Sequence, residues 1–191
     1  MFETILAQLY KQYMKLKRSP ADACWIFIYP LVGLLSPERE IIEPGVIDRA
    51  VEFVRRNMGT MAYLDGARRV TRDSYPEAAV REAIVNAAAH RDYSIAVTDI
   101  ELSLYSDRLE VISPGRLPNT VTVDKMRMGY RASRNELIKD ILRDYRYVEA
   151  RGMGVRRHIV EGMRRHNGAE PDLIEEESRF TVRLWKEARH P

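Results

Sequence analysis

Apolar residues recur at helical spacing over 2–17, where Phe2, Ile5, Leu6, Leu9, Tyr13 and Leu16 share one side. Ser19-Pro20 opens a second short apolar segment, and Ser36-Pro37 and Pro44-Gly45 punctuate the chain between that segment and residue 46. The pattern predicts an N-terminal arm of one or two helices over 1–45, set before a main domain over 46–191. Apolar surface on that scale has to be covered, by the arm's own domain or by a second copy of the chain. Val46–Asn57 reads as a helix with Val46, Ile47, Ala50, Val51 and Val54 inward, and 60–70 as an edge strand or hairpin.

A central helix begins at Tyr75-Pro76-Glu77, with proline in the first turn where its missing N–H costs nothing. Val80, Ala83, Ile84 and Ala87 form its apolar stripe. Residues 98–105 alternate as a strand, with Ile100, Leu102 and Leu104 on one face and Asp99, Glu101 and Ser103 on the other. Ser106-Asp107 turns the chain into a second strand over 108–113, which Pro114-Gly115 breaks. A polar, glycine-bearing loop runs to about residue 134, and Asn135 is placed to cap a helix over 136–146. Gly152-Met153-Gly154 leads into a helix over 155–166, ended by Asn167-Gly168, and 179–186 is a closing strand.

Composition narrows the class. The 191 residues are 45% hydrophobic and 31% charged, in the range of a globular chain. A formal net charge of +3 is too even to argue nucleic-acid binding. Arginines cluster at Arg55-Arg56, Arg68-Arg69, Arg156-Arg157 and Arg164-Arg165, against an acidic run over 170–177, and read as solvated helix faces. DNA contact is therefore expected only indirectly or weakly. The single Cys24 rules out an intramolecular disulfide and fits a reducing compartment, and the four histidines show no zinc spacing. The apolar run 23–35 is short of the roughly 20 residues a spanning helix needs and is interrupted by Pro30. Basic residues come after the first periodic segment rather than before it, unlike a signal peptide. No membrane role is expected, and the cytoplasm is the expected location.

Chemistry gathers on the central helix. Glu82, Asn86 and His90 recur every four residues, along a side away from the apolar stripe, and three alanines after Asn86 keep bulk low. An amide oxygen suits Mg²⁺, which takes few protein ligands, and a carboxylate one turn earlier can orient or deprotonate water. The same spacing also describes a solvated polar helix face. Gly115 comes after a strand and Gly154 opens a helix, whose N-terminal N–H groups form an anion site. Ordinary turn and capping chemistry accounts equally for either glycine turn alone. Other readings fail outright: there is no G-x-x-x-x-G-K-[ST], G-x-S-x-G, H-E-x-x-H or D-F-G, and Val97 stands where the kinase-like His90-Arg91-Asp92 would require Asn.

Together these segments resemble a known family. YPEAAVREAIVNAAAHRDY over 75–93 resembles the YPxxAxREAxxNAxxHRDY signature of a group named after RecG-like helicases, a group of ATP-binding, predicted transcriptional regulators. DRLEVISPGRLP over 107–118 is similar to its DRxEIxNPGxLP segment, and Arg134-Asn135 and EARGMGV over 149–155 to its RNPxL and ExxGxGI segments. The resemblance spans residues 46–186.

That family's domain is in turn similar to the GHKL ATPases, among them DNA gyrase, Hsp90, sensor histidine kinases and MutL. The resemblance implies an α+β, two-layer sandwich, with helices on one face of a mixed β-sheet. It implies ATP and Mg²⁺ as cofactors, with Glu82 as general base and Asn86 as the Mg²⁺ ligand. Gly115 falls in the first glycine box, Gly152 and Gly154 in the second, and 116–151 form a lid. His90, Arg91, Ser113, Arg134 and Asn135 join the expected nucleotide-binding set. Ser113 stands where GHKL proteins place the Asp that binds the adenine amino group, which is a departure. The family's usual AlbA-like N-terminal domain and frequent winged helix are not read here, and no motor motif supports helicase action. The expected activity is nucleotide binding with weak hydrolysis, coupled to a homodimer. The alternative is a non-catalytic dimerisation or regulatory module that keeps only a vestigial pocket.

Overall fold

The computed structural model describes residues 17–18, 24–28, 45–95, 98–118, 120–130, 132–148 and 153–188. In chain order these form β1 (Lys17–Arg18), β2 (Cys24–Ile28), α1 (Val46–Asn57), β3 (Thr60–Asp65), β4 (Arg68–Asp73) and α2 (Glu77–His90). Next come β5 (Ile100–Leu104), β6 (Arg108–Pro114), α3 (Val123–Arg127) and α4 (Glu136–Asp144). A π-helical segment, Val155–Val160, runs into α5 (Glu161–Asn167), before β7 (Asp172–Glu175) and β8 (Arg179–Trp185).

The alternation over 98–105 is decisive for the core. Leu102 on β5, Val111 on β6, Val182 on β8 and Leu173 on β7 lie opposite one another in register, as do Leu104, Leu109 and Leu184. These rows are buried to 7% exposure or less. Full burial of each leucine contributes about 1.5–3 kcal/mol. Ser113, two residues on from Val111, lies on the same face, and its hydroxyl donates to the Ala87 carbonyl of α2 at 3.0 Å. The apolar rows therefore face α2. The opposite face carries charge: Glu110, 6% exposed, accepts from Arg108 at 2.8 Å and Arg183 at 2.6 Å.

The main sheet runs β1-β2-β5-β6-β8-β7, with every described pairing antiparallel. The α+β class stands, but the mixed sheet expected from the family is antiparallel among the described strands. β5–β6 and β7–β8 are adjacent antiparallel pairs, and the long connection after β6 brings β8 back against it in the opposite direction.

The N-terminal expectation changes most. Cys24–Ile28 is not helical; it pairs with β5 from Cys24 opposite Leu104 to Ile28 opposite Ile100. Five residues rich in aromatic and β-branched types suit a strand better than a helix turn, and β5 offers an edge whose backbone groups need partners. The main sheet thus crosses the expected boundary at residue 45, and this part of the arm docks on its own domain. The helical periodicity over 2–16 lies outside the described residues.

Val46–Asn57 is helical as expected, with Phe53 buried beside the expected Ile47, Ala50 and Val54. The hairpin β3–β4 forms a separate two-stranded sheet. α2 is buried well beyond its stripe, at Ala79, Val85, Ala88 and Ala89 too. The loop expected up to residue 134 contains α3, capped by Thr122, whose hydroxyl accepts from the Lys125 N–H at 3.3 Å. The acidic run hides β7. α4 stops at Asp144, short of the expected 146, and α5 ends at Gly168 in the left-handed conformation, with φ 74°. Among the described residues no helix is long and apolar enough to cross a membrane.

Candidate functional site

Between α2 and the apolar face of the sheet lies a cavity of about 200 Å³. Its floor is the register row Val111, Leu173 and Val182, with Phe180 beside Ser113. α2 contributes Glu82, Asn86 and His90 to one wall, α4 contributes Lys139 and Arg143, and Gly154 and Val155 close the end. The Gly115 turn and the segment after it, including Val121, Met126 and Tyr130, line the rest. The cavity is thus apolar against the sheet, and its charged side chains come from the helices, set among apolar residues such as Ala83, Val155 and Ile159. Such a division suits a ligand with a flat apolar part and a charged part.

The spacing of Glu82 and Asn86 becomes a direct contact. The Asn86 amide nitrogen donates to Glu82 Oε1 at 2.8 Å. Because the amide nitrogen faces the carboxylate, the Asn86 oxygen is turned away from it, and it accepts no hydrogen bond among the described residues. Gly154 makes room for the carboxylate. A Cβ at that position would lie 1.9 Å from Glu82 Oε1 and 2.1 Å from Cδ. The helix after Gly154 begins with the π-helical segment, a geometry that recurs at functional sites.

His90 is half-buried on the same wall. Burial first, then the charges of Lys139 and Arg134, hold its imidazole below the ordinary histidine range, with Glu136 opposing. Burial, with the two cations, favours the neutral form.

Other expected residues take scaffolding positions. Arg91 is 1% exposed and donates to the carbonyls of Ile95 at 2.9 Å and Thr98 at 2.5 Å, with a longer bond to Asp92. It fastens the chain after α2 and is not on the cavity wall. Asn135 stands at the N-cap of α4, but its amide donates instead to the Ala89 and Arg91 carbonyls at 3.0 and 2.9 Å, closing the end of α2. Arg134 pairs with Asp92 at 2.7 Å and donates to the Arg116 carbonyl, on the outer side of the Gly115 turn. Asp92 in turn receives the Ser94 N–H and hydroxyl, which hold its carboxyl below the usual range.

Gly115 has φ 103°, and a Cβ there would lie 2.5 Å from that of Asp92, so the turn requires glycine. Ser113 reaches the cavity, yet its hydroxyl is engaged with Ala87. Gly152 lies outside the described residues.

Sequence reasoning missed Lys139 and Arg143. Their signal was present as two cations four residues apart on α4, but Glu136 and Asp140 at i,i+3 make that face read as ordinary surface pairing. The apolar floor was legible only as strand pattern. Its register, which brings Phe180 next to Ser113, was not.

The fold has a counterpart among solved structures. The crystal structure of the DIP2311 protein from Corynebacterium diphtheriae is similar over 75% of this chain, with TM-score 0.67 and 23% identity. At that identity the likeness speaks to the fold alone. The matched part is 29% of that protein, so this chain spans less than a third of its length. No curated protein matches the chain. Residues 98–184, from β5 through β8, match the family model described as "Putative ATP-dependent DNA helicase recG C-terminal", and over that stretch the family resemblance is borne out.

Proposed function

We propose that the cavity between α2 and the sheet binds a purine nucleoside triphosphate with Mg²⁺, ATP being the expected ligand, and that hydrolysis there is slow. The observation that carries this reading is the Glu82–Asn86–Gly154 contact in the wall of a cavity whose sheet side is apolar. A base would lie against Val111, Leu173, Val182 and Phe180, and the phosphates between α2 and α4.

The residues fit a metal-bound polyphosphate. Among the described residues there is no cluster of three His, Cys, Asp or Glu that could hold a metal by itself. Asn86 offers one uncommitted oxygen, and Mg²⁺ commonly takes one or two protein ligands and completes its shell with phosphate and water. When bound, the cation would neutralise developing charge on the phosphates. Glu82 would take the proton of an attacking water, and the Asn86 amide would hold that carboxylate in place. His90, kept neutral, would present an uncharged ring to the site.

Isothermal titration with Mg-ATP checks the reading. Wild type should bind, and Asn86→Ala should weaken binding by at least about tenfold, the loss of one well-placed polar contact. Glu82→Gln should bind and fail to hydrolyse. Silence in the wild-type titration would remove the proposal.

A second reading keeps the fold without turnover. Its specific support is Ser113, whose hydroxyl is spent on Ala87 where related ATPases use a carboxylate toward the base. Binding without phosphate release by wild type would favour it. Pairing of two copies through residues 1–45 belongs to both readings, and a monomer in light scattering would take it away.

A further inference from the structure

We infer that α4 carries a phosphate subsite: Lys139 and Arg143 together receive the terminal phosphate of a nucleoside triphosphate and set a preference for triphosphate over diphosphate. This rests on the nucleotide reading of the cavity above.

The two cations are four residues apart, so they share one side of α4. Both line the cavity that Asn86 and His90 of α2 also line. Their present partners are weak ones. Lys139 holds Glu136 at 2.6 Å and Arg143 holds Asp140 at 2.9 Å, with the two carboxylates 66% and 49% exposed. Solvated pairs of this kind hold little, whereas a polyphosphate offers several charged acceptors at once. The ion pairs can therefore exchange for ligand without a buried charge being stranded.

Three further observations point the same way. After burial, Lys139 and Arg134 are what depress the protonation of His90, against Glu136, so two cations stand near this part of the cavity. The Ser133 hydroxyl lines the same cavity, is buried and has no hydrogen-bond partner within range among the described residues, though it lies close enough to Glu136 to favour that carboxylate's charged form. The lining also orders the ligand. The sheet side is apolar and the charged side chains come from the helices, so a base against the sheet leaves the phosphates toward α2 and α4.

Titration calorimetry in Mg²⁺ with AMP, ADP and a non-hydrolysable ATP analogue tests the assignment. The proteins are wild type, Lys139→Ala/Arg143→Ala and Glu136→Gln/Asp140→Asn. Wild type should prefer the triphosphate analogue to ADP by at least about tenfold, as expected for charge-assisted phosphate contacts. The cation-deleted variant should lose that preference while its AMP and ADP affinities move by less than about twofold. Neutralising Glu136 and Asp140 frees the cations and should tighten the analogue, an effect that a purely structural pair would not produce. If the double variant fails to fold by circular dichroism, Lys139→Gln and Arg143→Gln singly should each remove part of the preference. Unchanged preference in the cation-deleted variant would overturn the α4 subsite and leave the nucleotide reading standing. No binding of any nucleotide by wild type would overturn both.

Discussion

A methyl group on residue 154 would be driven into the Glu82 carboxylate, at 1.9–2.5 Å from its atoms. Either the carboxylate leaves Asn86 or the π-helical segment shifts, and both disturb that wall of the cavity. Gly154→Ala should therefore cost about 1–3 kcal/mol of stability, as overpacking does. It should also weaken nucleotide binding by more than its stability loss explains. Urea unfolding beside calorimetry separates the two effects; a variant with wild-type affinity would show that the contact is incidental to binding. Gly115 is a different case. Its φ of 103° and its approach to Asp92 make it a fold position first, and the sequence motif around it reads as structural.

At the scale of elements, the residues that look most like a ligand-binding signature tie segments together. Arg91, Asp92, Arg134 and Asn135 join the end of α2, the Gly115 turn and the start of α4 through side chain to backbone bonds and one ion pair. Removing the Asn135 amide leaves two half-buried carbonyls, at Ala89 and Arg91, without that donor. Asn135→Ala should then cost roughly 1–3 kcal/mol, the penalty of an unmade buried hydrogen bond. The cavity residues themselves are untouched, so the loss should appear as a lower denaturation midpoint, with ligand affinity of the fully folded protein nearly unchanged. A large affinity loss at full folding would place Asn135 in the ligand site after all. The motif was legible because these bonds need specific donors at fixed positions; their destination was not, because amide and guanidinium donors serve a carbonyl and a phosphate equally well.

At the scale of the molecule, His90 links protonation to stability. Its folded-state pKa is held below the ordinary value of about 6.5, first by burial and then by Lys139 and Arg134, while Glu136 pulls the other way. The unfolded chain therefore binds the proton more readily, and stability rises with pH across the window between the depressed folded value and about 6.5. Wild type should lose stability as pH falls from 7 toward 5, and His90→Gln should lose less. Urea midpoints at several pH values check this, and parallel curves for the two proteins would refute it. Asp92 acts in a separate, more acidic window. Its carboxyl is held below the usual range, chiefly by Ser94, so its contribution is present above the ordinary carboxylate value and fades as pH falls through its lower folded one.

The sequence by itself determined α1, α2, the β5–β6 pair, the α5 stop at Gly168 and the closing strand, because each is written in local periodicity or in a turn residue with one physical role. It also determined that Glu82 and Asn86 share a side, since helical spacing leaves no other arrangement. Only the tertiary structure decided what lies opposite. The pairing of Cys24–Ile28 with β5, the strand hidden in the acidic run, the row that makes an apolar floor, and the approach of Lys139 and Arg143 to α2 all depend on contacts between distant segments. No local pattern encodes such distances. A carboxylate, an amide and two lysine or arginine cations look alike on a solvated helix and in a ligand cavity until packing brings the second wall into place.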